Sequence, residues 1–344
     1  MAGVAGHRLW AASDAGDYAV RPLVSDGGVP AAYRDRDLVN AWGLAATATG
    51  PWWTANEARD TSTLYSGDGR KQLLTVSVPG GPTGIVAYGG SGFPVSANGV
   101  AAPARFVYAC EDGRIRAWTP DVPRGWSKQA EIVVDRSGSA AVFRGVAIAA
   151  GRLYASDFHN DRIDVFDDRW RPVRLAGGFA DSSIPSWFAP SDIQVIGGHV
   201  FVTYIGRAPV DGNDAPEGGY VDEFDLEGRL VARVGRMGPL NEPWGLALAP
   251  RSFGRFGGDL LVANFGDGQI AAYRRGPASG WVYAGSLRGS NGKPVVVDGV
   301  WGIAFGNGAG AGPRDTLYAA AGPHKWYGSS ELEVHGLLAA ITPG

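Results

Sequence analysis

The chain has 344 residues and a net charge of -3, with 45% apolar residues that include 12 Trp, 12 Tyr and 13 Phe. This apolar content is sufficient for a large core. The small negative charge, with no basic block, excludes a nucleic-acid-binding surface. No apolar stretch approaches the roughly 18 residues of a membrane span, so no membrane partner is expected.

The first residues, MAGVAGHRLWAASDAG, lack the charged and apolar regions of a secretory signal. We predict a leader over residues 1–17. The protein is expected to be cytoplasmic as written, or exported with its signal absent from this sequence. The first predicted strand follows immediately as YAVRPLVS, residues 18–25.

A repeated motif begins six short apolar strands further along the chain. Five copies have glycine at the second position, and the Trp-Gly copies predict Trp side chains wedged between neighbouring units. The six copies, in chain order, are Trp42-Gly43-Leu44, Thr83-Gly84-Ile85, Arg144-Gly145-Val146, Ser191-Asp192-Ile193, Trp244-Gly245-Leu246 and Trp301-Gly302-Ile303.

Each copy is followed by further predicted strands. The second strands are PWWTAN, FVYACE, RLYASD, VFVTYI, LLVANF and TLYAAA, and fourth strands are visible as LLTVSV, EIVVD, PVRLA, LVARV and WVYAGSL. Four strands repeated at intervals of roughly 40–60 residues are typical of propeller blades. We therefore predict an all-β fold, a six-bladed β-propeller of four-stranded antiparallel blades.

The sixth repeat ends one strand short, after GLLAAIT. Pairing the strand of residues 18–25 with this last blade would close the ring and cover its exposed edge. The prediction is a single propeller domain over residues 18–344, closed by its N-terminal strand.

Polar residues concentrate in two classes of loop. In an antiparallel blade, the loop that enters strand one and the loop that joins strands two and three lie at the same end, so these residues converge on one axial funnel. We predict a small-molecule ligand there. The candidate substrate-binding residues are Asn40, Asn56, Glu57, Arg144, Tyr204, Asn264, His324, Trp326 and Tyr327.

Several segments, among them LVNAWGLA, SDFHNDRIDVFD, NEPWGLALAP and DGVWGIAFGNG, resemble a family of uncharacterised bacterial β-propeller proteins, many of them exported. The resemblance runs from about residue 20 to the C-terminus. It implies a six-bladed fold and a more distant similarity to NHL-repeat, gluconolactonase-like and strictosidine-synthase-like propellers and to the peptide-amidating lyase. The segment HKWYGSSEL before Glu333, and Glu57 in the first repeat, depart from the family pattern.

Related propellers that bind a metal hold it on the axis, with one residue from each of several blades. Calcium would be held by oxygen ligands from Glu57, Glu111, Asp157, Asn264 and Asp298, whereas zinc would prefer His159 and His335. A divalent metal, calcium or zinc, is therefore compatible with the sequence, although no local ligand spacing supports it.

Without a metal, the same residues could perform acid–base chemistry. His159 beside Asp157 is a candidate for proton transfer, with His335 and Glu111 as further catalytic candidates. The alternative for this pair is structural, with Asp157 capping the turn and His159 packed against a blade; His335 has the same structural alternative. His324, Trp326 and Tyr327 lie in a segment that could cover the funnel, or on the surface.

Covalent and nucleotide-dependent chemistry have no support. There is no GxSxG motif, and Cys110 is expected to be a small buried residue of strand two. No GxGxxG follows a strand and opens a helix, so neither a nucleotide nor a flavin cofactor is expected. The predicted function is an enzyme acting on a small organic molecule, a lyase or cyclase, hydrolase or isomerase. The alternative is a propeller that binds a ligand or protein without catalysis.

Overall fold

The computed structural model describes residues 17–123, 125, 127–207, 217–276, 280–323 and 333–344. The described chain forms six small sheets in a ring, which confirms the predicted all-β, six-bladed propeller. Within these residues no helix is long and apolar enough to cross a membrane. The predicted leader lies almost wholly outside the described residues, and the predicted domain limits stay a prediction.

The strands fall into six blades, I to VI. The chain starts with β1 (Tyr18–Ser25) and β2 (Tyr33–Arg34), which belong to blade VI. Blade I contains β3 (Ala41–Ala46), β4 (Trp52–Asn56), β5 (Thr61–Tyr65) and β6 (Lys71–Ser77). Blade II contains β7 (Pro82–Ala87), β10 (Phe106–Cys110), β11 (Arg114–Trp118) and β12 (Glu131–Asp135), with a separate hairpin of β8 (Pro94–Ala97) and β9 (Val100–Pro103).

The second half of the chain has the same arrangement of strands. Blade III contains β13 (Phe143–Ala149), β14 (Arg152–Asp157) and β15 (Arg162–Asp167). Blade IV contains β16 (Phe188–Ile196), β17 (His199–Gly206), β18 (Tyr220–Phe224) and β19 (Leu230–Arg236). Blade V contains β20 (Pro243–Leu248), β21 (Leu260–Asn264), β22 (Ile270–Arg275) and β23 (Trp281–Ser286). Blade VI contains β24 (Val300–Phe305), β25 (Leu317–Ala321) and β26 (Leu337–Pro343). Short 3-10 helices span Glu57–Arg59, Ser137–Ser139 and Gly254–Phe256.

The inner strand of each blade packs against the inner strands of its two neighbours, and β24 against β3 closes the ring. Because both faces of a blade are covered by other blades, its second strand is buried along nearly its whole length and does not alternate between buried and exposed residues. Thus β4, β10 and β21 are buried at every position, whereas the outer strand β6 exposes most of its residues.

The N-terminal strand closes the ring as predicted. β1 pairs antiparallel with β26 from Tyr18 to Ser25, so blade VI obtains its fourth strand from the start of the chain. The Tyr18 hydroxyl also donates to the Phe253 carbonyl oxygen at 3.1 Å, which joins this strand to blade V. The short parallel strand β2 was not predicted.

The predicted fourth strand of blade III, PVRLA, is wrong. In this region an isolated bridge between Phe166 and Pro172 remains, with hydrogen bonds from the Asp167 amide to the Arg171 carbonyl oxygen and from the Val173 amide to the Val165 carbonyl oxygen. No fourth strand follows from it among the described residues of this blade. The hairpin β8–β9 covers part of this blade instead, since the Trp170 indole donates to the Pro94 carbonyl oxygen.

The repeated glycines let the inner strands approach one another. A Cβ atom added to Gly43 would lie 2.5 Å from the Thr83 carbonyl oxygen, and one on Gly84 would lie 2.6 Å from that of Arg144. Contacts this short require movement of the neighbouring backbone, so glycine is needed where adjacent blades meet at the axis.

Gly84→Val is accordingly expected to lower the free energy of unfolding by about 1–3 kcal/mol, the usual cost of overpacking. Urea denaturation followed by circular dichroism measures this loss. Gly138→Ala is the control, because nothing lies within 4 Å of the Cβ position at that exposed glycine. Equal stability of the two variants would contradict the close approach of blades II and III.

Candidate functional site

A β-bulge in each inner strand places six side chains together at one end of the axis. In every blade, two residues of strand one oppose one residue of strand two at the repeated motif. A bulge redirects the side chain that precedes the glycine. The six residues at this position are Trp42, Thr83, Arg144, Ser191, Trp244 and Trp301.

The three tryptophans pack on each other, not between blades as predicted. The ring centroids of Trp42 and Trp301 are 3.9 Å apart and stacked, and Trp244 meets both edge-on at 4.8 and 4.7 Å. Phe265 stacks on Trp301 at 3.8 Å. We call these four rings, with Phe158 and Ile205, the axial aromatic cluster.

Two of the three remaining bulge positions carry small hydroxyl residues that link the blades. Thr83 donates to the Phe143 carbonyl oxygen at 3.0 Å, and Ser191 donates to the Pro243 carbonyl oxygen at 3.1 Å. Arg144 lies between these two residues in the ring. Because both of their side chains are small, there is space on either side of the Arg144 side chain.

Arg144 is a half-buried cation beside the aromatic cluster. Its guanidinium carbon lies 3.7 Å from the centroid of Phe158 and 5.7 Å from those of Trp42 and Trp244. Its Nε atom is buried without a hydrogen-bond partner, and Arg144 forms no salt bridge in the part of the chain that the structure describes. Burial lowers the Arg144 pKa, while Glu111, Glu333 and Glu242 raise it.

Three glutamates at the axial rim, Glu111, Glu242 and Glu333, act on the charge of this guanidinium, and Glu57 lies beside Glu111. The Glu57 amide donates to the Asn40 carbonyl oxygen, and the Glu111 amide donates to the Gly81 carbonyl oxygen. Each acceptor lies at the start of the blade to which the glutamate itself belongs, and these bonds fix both glutamates just beyond strand two. A Cβ atom added to Gly81 would lie 3.5 Å from Glu57 Oε1 and 3.6 Å from Glu111 Oε2, so these two carboxylates flank the same point.

Asn40 organises the rim. Its Nδ2 donates to Glu57 Oε2 at 2.8 Å and to Glu333 Oε2 at 2.9 Å, and its Oδ1 accepts from Trp301 Nε1 at 3.0 Å. Asn40 has a φ of 46°, a left-handed conformation that asparagine tolerates better than most residues. One buried amide therefore fixes two carboxylates relative to the aromatic cluster.

Burial raises the pKa of two rim carboxyls. For Glu111 burial is the largest cause, Arg144 opposes it, and the negative charges of Glu57 and Glu333 raise the pKa further. For Glu242 burial again dominates, with Arg144 opposing it and Glu217 adding to it. A carboxyl with a raised pKa can exchange a proton closer to neutral pH.

Three predicted site residues lie inside the blades. Asn56, Asp157 and Asn264 each end strand two, and all are buried. Asn56 donates to the Thr63 hydroxyl at 2.8 Å, and Asn264 donates to the Pro239 carbonyl oxygen at 2.8 Å.

Asp157 caps its own turn. One carboxylate oxygen accepts from Asn160 Nδ2 at 2.7 Å and the other from the Val142 amide at 3.2 Å. His159, two residues on, is exposed, and its carbonyl oxygen accepts from Arg207. The structural alternative for Asp157 is therefore the observed one, and a proton-transfer role for His159 stays a prediction.

The other predicted residues are dispersed. His335 Nδ1 lies 2.8 Å from Asp26 Oδ2, next to β1, and Asp298 is exposed. Tyr204 lines a separate cavity of about 260 Å³ between blades III and IV, together with Asp161 and Asp181. His324, Trp326 and Tyr327 lie outside the described residues.

No metal centre is visible among the described side chains. Within the described ranges, no group of three or more His, Cys, Asp or Glu residues is arranged to hold a metal ion. The candidate ligands Asp157, Asn264 and His335 already bind different partners at separate places. Cys110 is free and buried as expected, and burial raises its pKa to about 12.

The predicted site residues do not include Glu242, Glu333 or the tryptophans of the aromatic cluster, although Glu242 lies in a loop that enters strand one, one of the two polar loop classes. Glu242 occupies the position of Asn40 three residues before the glycine of its repeat, and both have a left-handed backbone. Comparison of the repeats at that position would have identified Glu242. Glu333 belongs to no repeat position, so the sequence carries no comparable signal for it.

Structural comparison shows the fold. The chain resembles a PQQ-bound aldose sugar dehydrogenase from Streptomyces coelicolor (TM-score 0.55, 15% identity, covering 96% of this chain and 100% of that one). It also resembles a streptogramin B lyase (TM-score 0.51, 10% identity, 95% and 98% covered) and virginiamycin B lyase from Staphylococcus aureus (0.50, 9%, 95% and 99%). The expected distant similarity to enzyme propellers is supported at the level of fold.

No family model matches the sequence. Two uncharacterised proteins of Acanthamoeba polyphaga mimivirus are 34% and 33% identical to it, over 83% and 82% of this chain and 78% and 72% of theirs. These relatives are viral, so the expected membership in a bacterial family is not supported. The chain belongs to the same protein family as these two uncharacterised mimivirus proteins.

Proposed function

We propose that the protein is an enzyme that acts on a small organic molecule at the axial rim, with Arg144 binding a substrate oxygen and Glu111 transferring a proton. The observation that carries this proposal is a half-buried guanidinium whose buried Nε–H has no partner among the described residues, beside a carboxyl of raised pKa. A donor that is shielded from water and left without an acceptor costs about 1–3 kcal/mol. An oxygen of a bound substrate would offset this cost.

The chemistry that fits is proton transfer next to a carbonyl group. A substrate carbonyl oxygen that accepts from Arg144 becomes more negative as a neighbouring C–H bond breaks, and the guanidinium stabilises that charge. Ionised Glu111 takes the proton, and the electron pair of the C–H bond forms a double bond as a β-substituent leaves. This is a lyase reaction, and the same groups could protonate the leaving oxygen of a lactone.

The rim residues Asn40, Glu57 and Glu333 are positioning residues in this scheme. Their hydrogen bonds hold two negative charges near Glu111, and these charges keep its pKa raised. The aromatic cluster supplies a rigid apolar floor beneath the substrate. The lyases that share this fold are compatible with such chemistry, although their similarity concerns the fold alone.

We expect Glu111→Gln and Arg144→Lys each to lower turnover by about 10²–10³, the usual loss for a catalytic acid–base or an oxyanion donor. The measurement uses a panel of β-substituted carbonyl compounds, followed by the absorbance of the conjugated product, and a panel of lactones, followed by acid release. Glu131→Gln on the outer strand β12 of the same blade is the matched control and should retain full turnover.

Thermal denaturation of each variant shows whether its fold is intact. Unchanged turnover in both folded variants would overturn the proposal. Thermal shifts that Arg144→Lys abolishes, with no turnover of any panel member, would instead favour a non-catalytic ligand-binding propeller.

A further inference from the structure

The cavity of about 260 Å³ between blades III and IV lies apart from the axial rim. None of its described lining residues belongs to the rim or to the aromatic cluster. Its wall is formed by the start of β15, by the segment that leads into β16, and by Tyr204 of β17. Sites for drug-sized ligands measure roughly 300–1,000 Å³, so this cavity suits a smaller organic molecule.

The hydroxyl of Tyr204 faces this cavity without a protein partner. Tyr204 is 6% exposed, and its hydroxyl makes no hydrogen bond with the residues that the structure describes. The hydroxyls of Tyr108 and Tyr273 also lack a partner, but they are sealed from solvent inside their blades. A buried polar group is normally hydrogen-bonded, so the Tyr204 hydroxyl points to a ligand in the cavity.

The surroundings of this hydroxyl are negatively charged. Burial is the largest cause that raises the Tyr204 pKa, and the carboxylates of Asp222, Asp181 and Asp161 raise it further, while Arg233 lowers it. A cleft in which one sign of charge dominates attracts ligands of the opposite sign. The charge pattern therefore favours a cationic ligand.

The guanidinium groups near the cavity are engaged by carboxylates. Arg162 Nε donates to Asp164 Oδ1 at 2.7 Å, and Arg233 forms ion pairs with both Asp181 and Asp222. The second oxygen of Asp222 is buried and has no hydrogen-bond partner among the described residues. An anionic ligand would have to displace one of these carboxylates from its guanidinium.

Asp161 is the carboxylate that remains for a ligand. Arg207 Nη2 lies 3.8 Å from Asp161 Oδ2, which is too far for a hydrogen bond, and it donates to the Ser186 carbonyl oxygen instead. The Asp161 side chain accepts no hydrogen bond within the described ranges, and 41% of it is exposed. A cation that enters the cavity would therefore meet a carboxylate with unused acceptor capacity.

The rest of the cavity wall is largely apolar. Ile163, Phe179, Ile184, Pro185 and Phe188 line it, and the two phenylalanines are at most 8% exposed. These side chains would remove the hydrocarbon part of a ligand from water. An inorganic cation would leave this apolar wall uncovered, so the lining favours an organic cation.

We propose that this cavity binds a primary amine with an apolar body, whose ammonium group donates to the Tyr204 hydroxyl oxygen and to the Asp161 carboxylate. An ammonium group has three donors, which suits one hydroxyl and one carboxylate acceptor. The hydrocarbon part of the amine lies against Phe179 and Phe188. This site is separate from the rim at Arg144 and does not depend on the proposed enzyme activity.

The test measures the binding of 2-phenylethylamine and of hexylamine to the full chain by isothermal titration calorimetry. The neutral 2-phenylethanol and the anionic phenylacetate are probes of similar shape without the ammonium group. Tyr204→Phe removes only the hydroxyl, and Asp161→Asn removes only the charge. Asp168→Asn is the matched control, because Asp168 is exposed and follows the opposite end of β15. Glu242→Gln reports amine that binds at the acidic rim.

We expect saturable binding of at least one amine to the wild type, and about tenfold weaker binding to Tyr204→Phe and to Asp161→Asn. This is the loss expected for one hydrogen bond to a charged group. Asp168→Asn and Glu242→Gln should bind as the wild type does, and the alcohol and the acid should bind at least tenfold more weakly than the amine.

Thermal denaturation shows whether each variant is folded, and exposed Asp161 keeps the test decisive if Tyr204→Phe does not fold. Unchanged amine binding by the folded variants, or equal affinity for amine, alcohol and acid, would overturn the site. Absence of saturable binding of both amines to the wild type would also overturn it. Amine binding lost only in Glu242→Gln would place the amine at the rim and reject this cavity.

Discussion

Removal of residues 1–25 is expected to leave a chain that does not fold. These residues include β1, in which Tyr18, Leu23 and Val24 are all at most 3% exposed. Burial of three such side chains contributes on the order of 5–9 kcal/mol, which is comparable with the 5–15 kcal/mol that stabilises a typical protein. The truncated chain should lack a cooperative thermal transition and should aggregate through the uncovered edge of β26.

Two controls distinguish the loss of ring closure by β1 from the effect of a shorter chain. Removal of residues 1–16 spares β1 and should leave the Tm unchanged. Leu23→Asp keeps the full length and should lower the Tm strongly, because Leu23 has no exposed surface. A synthetic peptide of residues 17–27 should restore a cooperative transition to the truncated chain. A folded, monomeric product of the 1–25 deletion would show that closure by β1 is dispensable.

Most of the architecture could be predicted because it is repeated. Six copies of one motif determine the number of blades, and a missing strand in the sixth copy identifies YAVRPLVS as its partner. The predictions that were wrong concern features found in single blades. The PVRLA segment has the apolar character of a strand, but it pairs with β15 only at its first residues, and the hairpin β8–β9 lies beside this blade, a contact that the repeat does not predict.

The site was harder to predict because a difference of one residue in position decides whether a side chain reaches the rim. The last residue of strand two, such as Asn56 or Asp157, points into the blade, whereas the next residue, Glu57 or Phe158, reaches the rim. A shift of one residue changes the face on which a side chain lies. The sequence places both in the same loop class and cannot decide between them.

Long-range partners were a second source of error. His335 stands near the rim in the chain, but Asp26 at the opposite terminus holds its imidazole. Conversely, Arg144 was predicted as one binding residue among nine, and only the structure shows that its Nε–H has no partner among the described residues and that its guanidinium lies over the Phe158 ring. Burial and partner choice of this kind follow from tertiary packing.

Asp192 is expected to make the free energy of unfolding depend on pH. Its pKa is about 7 in the folded protein, from a model value of 3.8. Between these values the folded state retains a proton that the unfolded state has lost, so the free energy of unfolding falls as pH rises through this window. At about 1.4 kcal/mol per pKa unit, the fall amounts to about 4 kcal/mol at most.

Urea denaturation of chelator-treated wild type and Asp192→Asn between pH 4 and pH 8 isolates this contribution, since all other titrating groups are common to both. As pH rises, the free energy of unfolding of the wild type should fall by a few kcal/mol relative to that of Asp192→Asn. This difference should level off above pH 7. Parallel curves for the two proteins would mean that the Asp192 carboxylate is solvated in the channel and does not retain the proton.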